Sequence, residues 1–341
     1  MTGRERVRRA LDFERPDRAP RDLWFLPGVA MYRCAELDAM LLRYPLDLSR
    51  APDPSPPSSR ASGAPHEVGS YIDGWGCEWV AAEPGVIGEV KNPPLADWSA
   101  LEDWSPPYDA LDNANWDIVK PYCKETDSYV LSASDIKPFE RIQSLRGSQQ
   151  VFIDLAMGEP EFGELCRQVH EWNLRCAKLW CKTDVDGFSF LDDWGSQSAL
   201  LIAPEMWREI FKPMYAEYCA IARAHGKRVF MHSDGVTESI IPDLIEIGVD
   251  AFNTQIFLMD IEDLAARFKG KLTFWGEIDR QRLLPFGAPE DVRAAVRRVR
   301  NALDDGGGGL IAQCEWGNAD PAENIEAVFE AWLEDPPRRR I

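Results

Sequence analysis

The chain reads as an α/β protein folded as a (β/α)8 TIM barrel, and three observations predict it. From about residue 128, short apolar runs alternate with segments of helical spacing, the pattern of parallel strands joined by crossover helices. The helical segments close on glycines, such as Gly226 after "PEMWREIFKPMYAEYCAIARAH". No G-x-G-x-x-G loop follows a first strand, which argues against the competing doubly wound open sheet.

Taken in order, "MTGRERVRRALDFERPDRAP" is charged throughout and reads as an N-terminal extension with no secretory apolar stretch. Residues 50–66, opening with "RAPDPSPPSSRASGAP", are dense in Pro, Ser and Ala and read as a mobile surface loop. Apolar segments resume on both sides, so a single domain over 1–341 is expected. The stretch 93–112 reads as ordered loops with one short helix. Strands are predicted at 128–134, 187–193, 228–234, 250–255, 272–279 and 309–316, each rich in apolar, β-branched or aromatic residues. Between them, 204–226 has helical spacing broken at Pro213, and "TESIIPDLIEIG" and "APEDVRAAVRRVRNALDDG" follow the same scheme. "GGGGL" at 306–310 precedes a strand and is better read as a helix terminator than as a phosphate loop.

The bulk numbers are those of a globular protein, with 45% hydrophobic and 28% charged residues in 341. A formal charge of −19 argues against nucleic acid or an anionic membrane as partner. No run approaches the roughly 18 apolar residues of a membrane span. The eight cysteines are scattered without paired spacing and are expected to be reduced thiols in a cytoplasmic protein. Monomer and homodimer are both open.

In such barrels chemistry gathers at the C-terminal ends of the strands. Those ends here carry Asp192–Asp193–Trp194, His232–Ser233–Asp234, Asn253–Thr254–Gln255, Glu277–Ile278–Asp279 and Cys314–Glu315–Trp316. His232 and Asp234, two apart on a strand, point the same way. Histidine, aspartate and cysteine are competent zinc ligands, and a catalytic zinc takes three protein ligands with one position open. His232, Asp234 and Cys314 are the candidate set, with Gln255 or Glu277 as a displaceable fourth donor. Spacing alone leaves equally open a hydrogen-bonded barrel histidine and a buried thiol. His66, His170 and His225 look peripheral, so His232 is the histidine expected to do any chemistry. Asp193 is a candidate for a site role or for capping, Gln197 a candidate ligand contact. Trp194, Trp275 and Trp316, each beside a strand end, are candidates to wall a substrate cavity, with core packing as the alternative.

The chain also resembles the uroporphyrinogen decarboxylase superfamily, and within it the cobalamin-dependent methyltransferases: the methylcobalamin:coenzyme M methyltransferases and corrinoid O-demethylases. The resemblance rests on "RERVRRALDFERPDRAP", "YIDGWGCEWV", "LRGSQQVFIDLAMGEPEF", "DDWGSQSALLIAPEMWREIFKPMY", "HGKRVFMHSDG", "LIEIGVDAFNTQ" and "FWGEID". It implies a (β/α)8 barrel and a zinc site built from a His-x-Cys pair and a distal cysteine. Carried over, His232 matches the histidine, Cys314 the distal cysteine, and Gln255 lies near an additional ligand; Asp234 stands where the family has a cysteine. The implied activity is transfer of a methyl group between a small substrate, a methyl ether given the harder Asp234, and a corrinoid carried by a partner protein, with Asp193 and Glu277 managing protons. The decarboxylase branch is the alternative. Its Arg-Gln-Ala-Gly-Arg signature is absent, and its chemistry would be metal-free, using Asp73 or Asp193. A non-catalytic corrinoid- or porphyrin-binding barrel is the third reading.

Overall fold

A computed structural model describes residues 1–334 of the chain. Eight parallel strands form a nearly closed barrel: β1 (Arg21–Phe25), β2 (Leu48–Arg50), β6 (Tyr129–Leu131), β7 (Gly187–Leu191), β8 (Arg228–Ser233), β9 (Ala251–Thr254), β10 (Thr273–Trp275) and β11 (Leu310–Trp316). Their order is β1-β11-β10-β9-β8-β7-β6-β2. Asp47, just before β2, links the two ends of that order by donating its N–H to the Arg21 carbonyl of β1 at 2.9 Å, while its carbonyl accepts from Tyr129 N–H of the neighbouring β6 at 2.8 Å. A separate antiparallel sheet of β3 (Gly69–Ile72), β4 (Glu78–Ala81) and β5 (Glu89–Asn92) lies between β2 and β6 in sequence.

All six predicted strand runs contain a barrel strand. β1 and β2 lie outside them, and the N-terminal extension is part of the fold. The helix Gly3–Leu11 turns Val7 and Leu11 into the cluster formed by Leu48, Tyr129, Leu131, Phe230, Ala251, Trp275 and Ile311, so it helps fill the barrel interior. The glycine run meets this helix: Gly309 N–H donates to the Ala10 carbonyl at 2.7 Å. A Cβ on Gly308 would lie 3.0 Å from that same oxygen, a closeness that explains small residues here better than a phosphate loop does. The segment 204–226 splits as expected, into helices Pro204–Ile210 and Lys212–Ala224, with Gly226 at φ +68° after the second. Residues 51–60 are irregular yet anchored: Ser58 Oγ donates to Asp109 at 2.9 Å and Asn115 N–H to the Pro54 carbonyl at 2.8 Å. All eight cysteines are free, and no helix among the described residues is long and apolar enough to cross a membrane.

Alternation along the strands decides which residues reach the barrel axis. On β11, Ile311 belongs to the interior cluster, so Gln313 and Glu315 share its face; Ala312, Cys314 and Trp316 belong to the core outside, against the helices. On β7, a Cβ on Gly187 would strike Leu131, Tyr129 and Phe230, so 187, 189, 191 and 193 face inward. Phe188, Phe190 and Trp194 are in the outer core.

Trp194 is therefore a core residue and does not wall a substrate cavity. It is fully buried, stacks on Phe139 with ring centroids 4.1 Å apart, and donates its indole N–H to the Tyr215 hydroxyl at 2.9 Å. Trp316 is likewise fully buried, donating to the Asp320 carbonyl at 3.0 Å beneath the Arg33 guanidinium. Trp194→Ala should cost about 3–5 kcal/mol of unfolding free energy in a urea titration, as other large aromatic-to-alanine changes in cores do. A loss under about 1 kcal/mol would contradict this core assignment.

Candidate metal centre

The loops after β7 and β8 must come very close for Asp193 and Asp234 to meet, and two glycines make this possible. Gly235 has φ +78°, and a Cβ there would fall 2.1 Å from the Gly195 carbonyl carbon. With both side chains absent, Gly195 N–H donates to the Asp234 carbonyl at 2.9 Å. Asp234 N–H in turn donates to Asp193 Oδ1 at 2.8 Å, and Gly235 N–H to Gln255 Oε1 at 2.8 Å. Gln255 thus holds the turn.

Asp193, His232 and Asp234 each bring one ligand atom into a group whose members all lie within 4.8 Å of one another. His232 Nε2 stands 3.5 Å from Asp193 Oδ1 and 3.4 Å from Asp234 Oδ1. Both distances exceed a good N–H···O hydrogen bond. The network fixes the ring's tautomer. Asn253 Nδ2 donates to the Trp275 carbonyl and to Gln313 Oε1, the latter at 3.1 Å, so its Oδ1 is left as an acceptor. That oxygen is 2.6 Å from His232 Nδ1, which therefore carries the proton. Nε2 faces the two carboxylates, and in the neutral ring it is the nitrogen that binds metal. Asp234 Oδ1 is buried and has no hydrogen-bond partner. An orphaned carboxylate oxygen and an imidazole nitrogen turned toward one another call for a proton or a metal cation between them.

The surrounding charge has the same sign. Arg280 pairs with three carboxylates: Asp234 Oδ2, Glu315 Oε1 at 2.7 Å and Glu277 Oε1 at 3.7 Å. One guanidinium cannot neutralise three carboxylates. Burial pushes the Glu277 carboxyl up to about 8 against the pull of Arg280. It also raises Asp193, with the nearby His232 opposing. Glu140, at the start of the helix Pro138–Arg146, is pushed up to about 8 by burial and by the charge of Asp193, and its Oε1 is buried without a partner.

Other expected site residues lie elsewhere. Cys314 is not at this group: it is fully buried on the helix-facing side of β11, and desolvation raises its thiol far above the usual range. Asp193 is the third member of the group. Asp73 has both oxygens engaged, Oδ1 by the Trp75 and Cys77 N–H groups at 2.9 Å each, and Oδ2 by the Trp79 indole and Arg141 at 3.0 Å each. Gln197 is exposed in the loop after β7. Trp275 faces inward and lines a cavity of about 560 Å³ with Trp24, Leu48, Arg50, Leu131 and Glu315. Trp24 joins this cavity to the histidine, its ring packed edge-on against His232 at 5.0 Å between centroids. Sequence reasoning missed Arg280, Asn253, Glu315, Glu140, Trp24 and Arg50 as site residues. Inward parity on β9 and β11 would have flagged Asn253 and Glu315.

Metal analysis of the purified protein should find about one zinc per chain, lost in His232→Ala and Asp234→Ala but kept in Cys314→Ser, since a catalytic zinc needs its three ligands. Asn253→Ala should weaken the site by about 10–100-fold, the usual effect of removing a ligand's hydrogen-bond partner. A zinc content that falls with Cys314→Ser would refute the donor set. Glu140 has a folded value of about 8 against an ordinary 4.5, so between those limits the native state holds a proton that the unfolded state has lost. Its contribution to stability is present below the lower limit and is lost as pH rises through the upper one. Unfolding free energies should therefore move in favour of Glu140→Gln over wild type from pH 5 to pH 8; parallel pH profiles would contradict this.

The sequence signature of the family described as uroporphyrinogen decarboxylase (URO-D) matches residues 73–334. Methylcobamide:CoM methyltransferase MtbA of Methanosarcina mazei is 25% identical over 197 residues, covering 58% of this chain. The match spans 56% of that relative's length. A solved methyltransferase structure from Methanosarcina mazei superposes with a TM-score of 0.70 at 16% identity, over 98% of this chain and 99% of that one, a likeness of fold. The signature covers most of the barrel and every residue of the metal group: the chain belongs to the uroporphyrinogen decarboxylase family.

Proposed function

We propose that the protein is a metal-dependent methyltransferase that moves a methyl group between a small substrate and a corrinoid borne by a partner protein. The observation that carries the metal is Nε2 of His232 facing the unpartnered Oδ1 of Asp234 across 3.4 Å, with Asp193 alongside. The likeness to a methylcobamide:CoM methyltransferase supports the reaction class.

Zinc held by Asp193, His232 and Asp234 would supply Lewis-acid polarisation of the substrate heteroatom that carries the methyl group. The chain's own residues do the rest. Asn253 keeps the imidazole in the ligating tautomer, and Arg280 holds Asp234 by its other oxygen. Glu277, at about 8, keeps its proton at neutral pH and can release it to an oxygen that gains negative charge as its methyl group departs. The donor set is one nitrogen and two carboxylates with no thiolate. This harder set favours an oxygen-bearing substrate, a methyl ether, over a thiol. A metal-free decarboxylation through Asp73 gains no support, because that carboxylate is spent on its own turn and on Arg141.

The test is methylcobalamin formation from cob(I)alamin and an aryl methyl ether, followed by absorbance, with zinc-loaded protein and with protein stripped by chelator. Stripping, His232→Ala and Asp234→Ala should each lower the rate by about 100-fold or more, the scale of losing metal stabilisation of a developing charge. Full activity after stripping would refute the metal-dependent reading.

A further inference from the structure

The cavity beside the metal group holds a cation with no carboxylate to pair it. Arg50, the last residue of β2, lines this cavity of about 560 Å³ with aromatic and aliphatic walls. Other cations near the barrel mouth have carboxylate partners. Arg280 pairs with Asp234 and Glu315, Lys137 with Asp135, and Arg141 with Asp73 and Asp135. Among the described residues, no carboxylate lies within 4.0 Å of Arg50. Its Nη1 makes two long contacts, 3.2 Å to Ser189 Oγ and 3.5 Å to the Ser132 carbonyl. Nε and Nη2 have no hydrogen-bond partner among the described residues. Those two N–H groups form the side-on edge of a guanidinium, the edge that receives a carboxylate by two parallel hydrogen bonds.

The surroundings are built around this gap. Arg50 is exposed to solvent through the cavity, and burial of its inner side lowers its hold on its proton. Asp22 offsets part of the cost through space. Its own Oδ2 is taken by two indoles, Trp24 Nε1 at 3.0 Å and Trp275 Nε1 at 2.8 Å. Asp22 therefore fixes the two rings that wall the cavity. Trp24 lies between the ends of the site, with Arg50 Cζ 5.7 Å from its ring centroid and the His232 ring 5.0 Å away. Several carboxylates and a chain charge of −19 make the mouth inhospitable to multiply charged anions, which leaves a monoanion.

We propose that Arg50 is the recognition residue for a carboxylate on the substrate, whose apolar or aromatic body lies against the wall formed by the touching Trp24 and Trp275 rings and whose opposite end reaches the His232 group. The substrate class is thus an anionic methyl ether of the methoxybenzoate kind. The assignment of the far end rests on the methyl-transfer reading above; that of the carboxylate does not.

Calorimetric titration of metal-free protein with 4-methoxybenzoate and with neutral methoxybenzene tests the proposal without turnover. Wild type should bind the benzoate at least about tenfold more tightly than the neutral ether, and Arg50→Met should lose at least about tenfold of that affinity. Arg50→Lys should retain part of it. Absence of benzoate binding, equal affinity for the two probes, or an unchanged Kd in a folded Arg50→Met would overturn it. The wild-type preference between probes needs no variant, so a misfolded Arg50→Met leaves the test standing. Benzoate binding without zinc binding would fail the metal reading alone; zinc binding without benzoate preference would fail this one alone.

Discussion

The site depends on one constraint: in a closed parallel barrel only every second residue of a strand reaches the axis. Asp193 and Leu191 share the inward face of β7 with Gly187, and His232 follows Phe230 inward on β8. Asp192, one step from Asp193, points the other way and does different work. Its oxygens accept from Phe139 N–H at 2.7 Å, Glu140 N–H at 2.8 Å and the Tyr215 hydroxyl at 2.6 Å. It anchors a helix N-terminus to the strand end and satisfies donors that a helix otherwise leaves open. Adjacent aspartates thus divide between supporting the scaffold and forming the site.

The second organising fact is an excess of negative charge around a single interior guanidinium. Arg280 draws Asp234, Glu277 and Glu315 together from three loops or strands, which orients Asp234 but does not neutralise the group. Unpaired carboxylates in a poorly hydrated space are costly, and they respond by holding protons or by taking up a cation. Glu277 and Glu140 show the first response in their raised values. The geometry around His232 suits the second, because its Nδ1 proton is committed to Asn253, which turns Nε2 toward Asp193 and Asp234.

How far the sequence could be read follows from the same geometry. The six later strands were legible because each is a compact apolar run between helical segments, and the ends of those runs located the mouth. β1 begins with Arg21–Asp22 and β2 has three residues, ending in Arg50, so neither has an apolar signature. Their charges are where the cavity needs them, which is why they were illegible as strands. His232 and Asp234 were found because they lie two apart on one strand, where parity is internal to the pair. Cys314 and Trp194 were misplaced because both faces of a barrel strand are buried, so a continuous apolar run does not say which face is the interior. Arg280 lay beyond reach: its role comes from a loop folding back over the mouth, and nothing in "GEIDRQ" signals three partners.

The cavity wall and the metal group are joined by one chain of hydrogen bonds and do not vary independently. Asp22 accepts the Trp275 indole at 2.8 Å, the Trp275 carbonyl accepts from Asn253, and Asn253 accepts from His232 at 2.6 Å. Asp22 also holds Trp24, whose ring packs against both His232 and Trp275 at 5.0 Å. A shift of the Asp22 carboxylate would therefore tilt the cavity walls and disturb the imidazole that faces Asp193 and Asp234. Such coupling needs a rigid path with every polar atom matched, and this one runs through residues from β1, β8, β9 and β10 whose side chains are buried or nearly so. The arrangement fixes the spacing between Arg50 and the metal group as a property of the barrel. On the proposed reading, substrate length is then selected by strand geometry, and loop closure is left to control access.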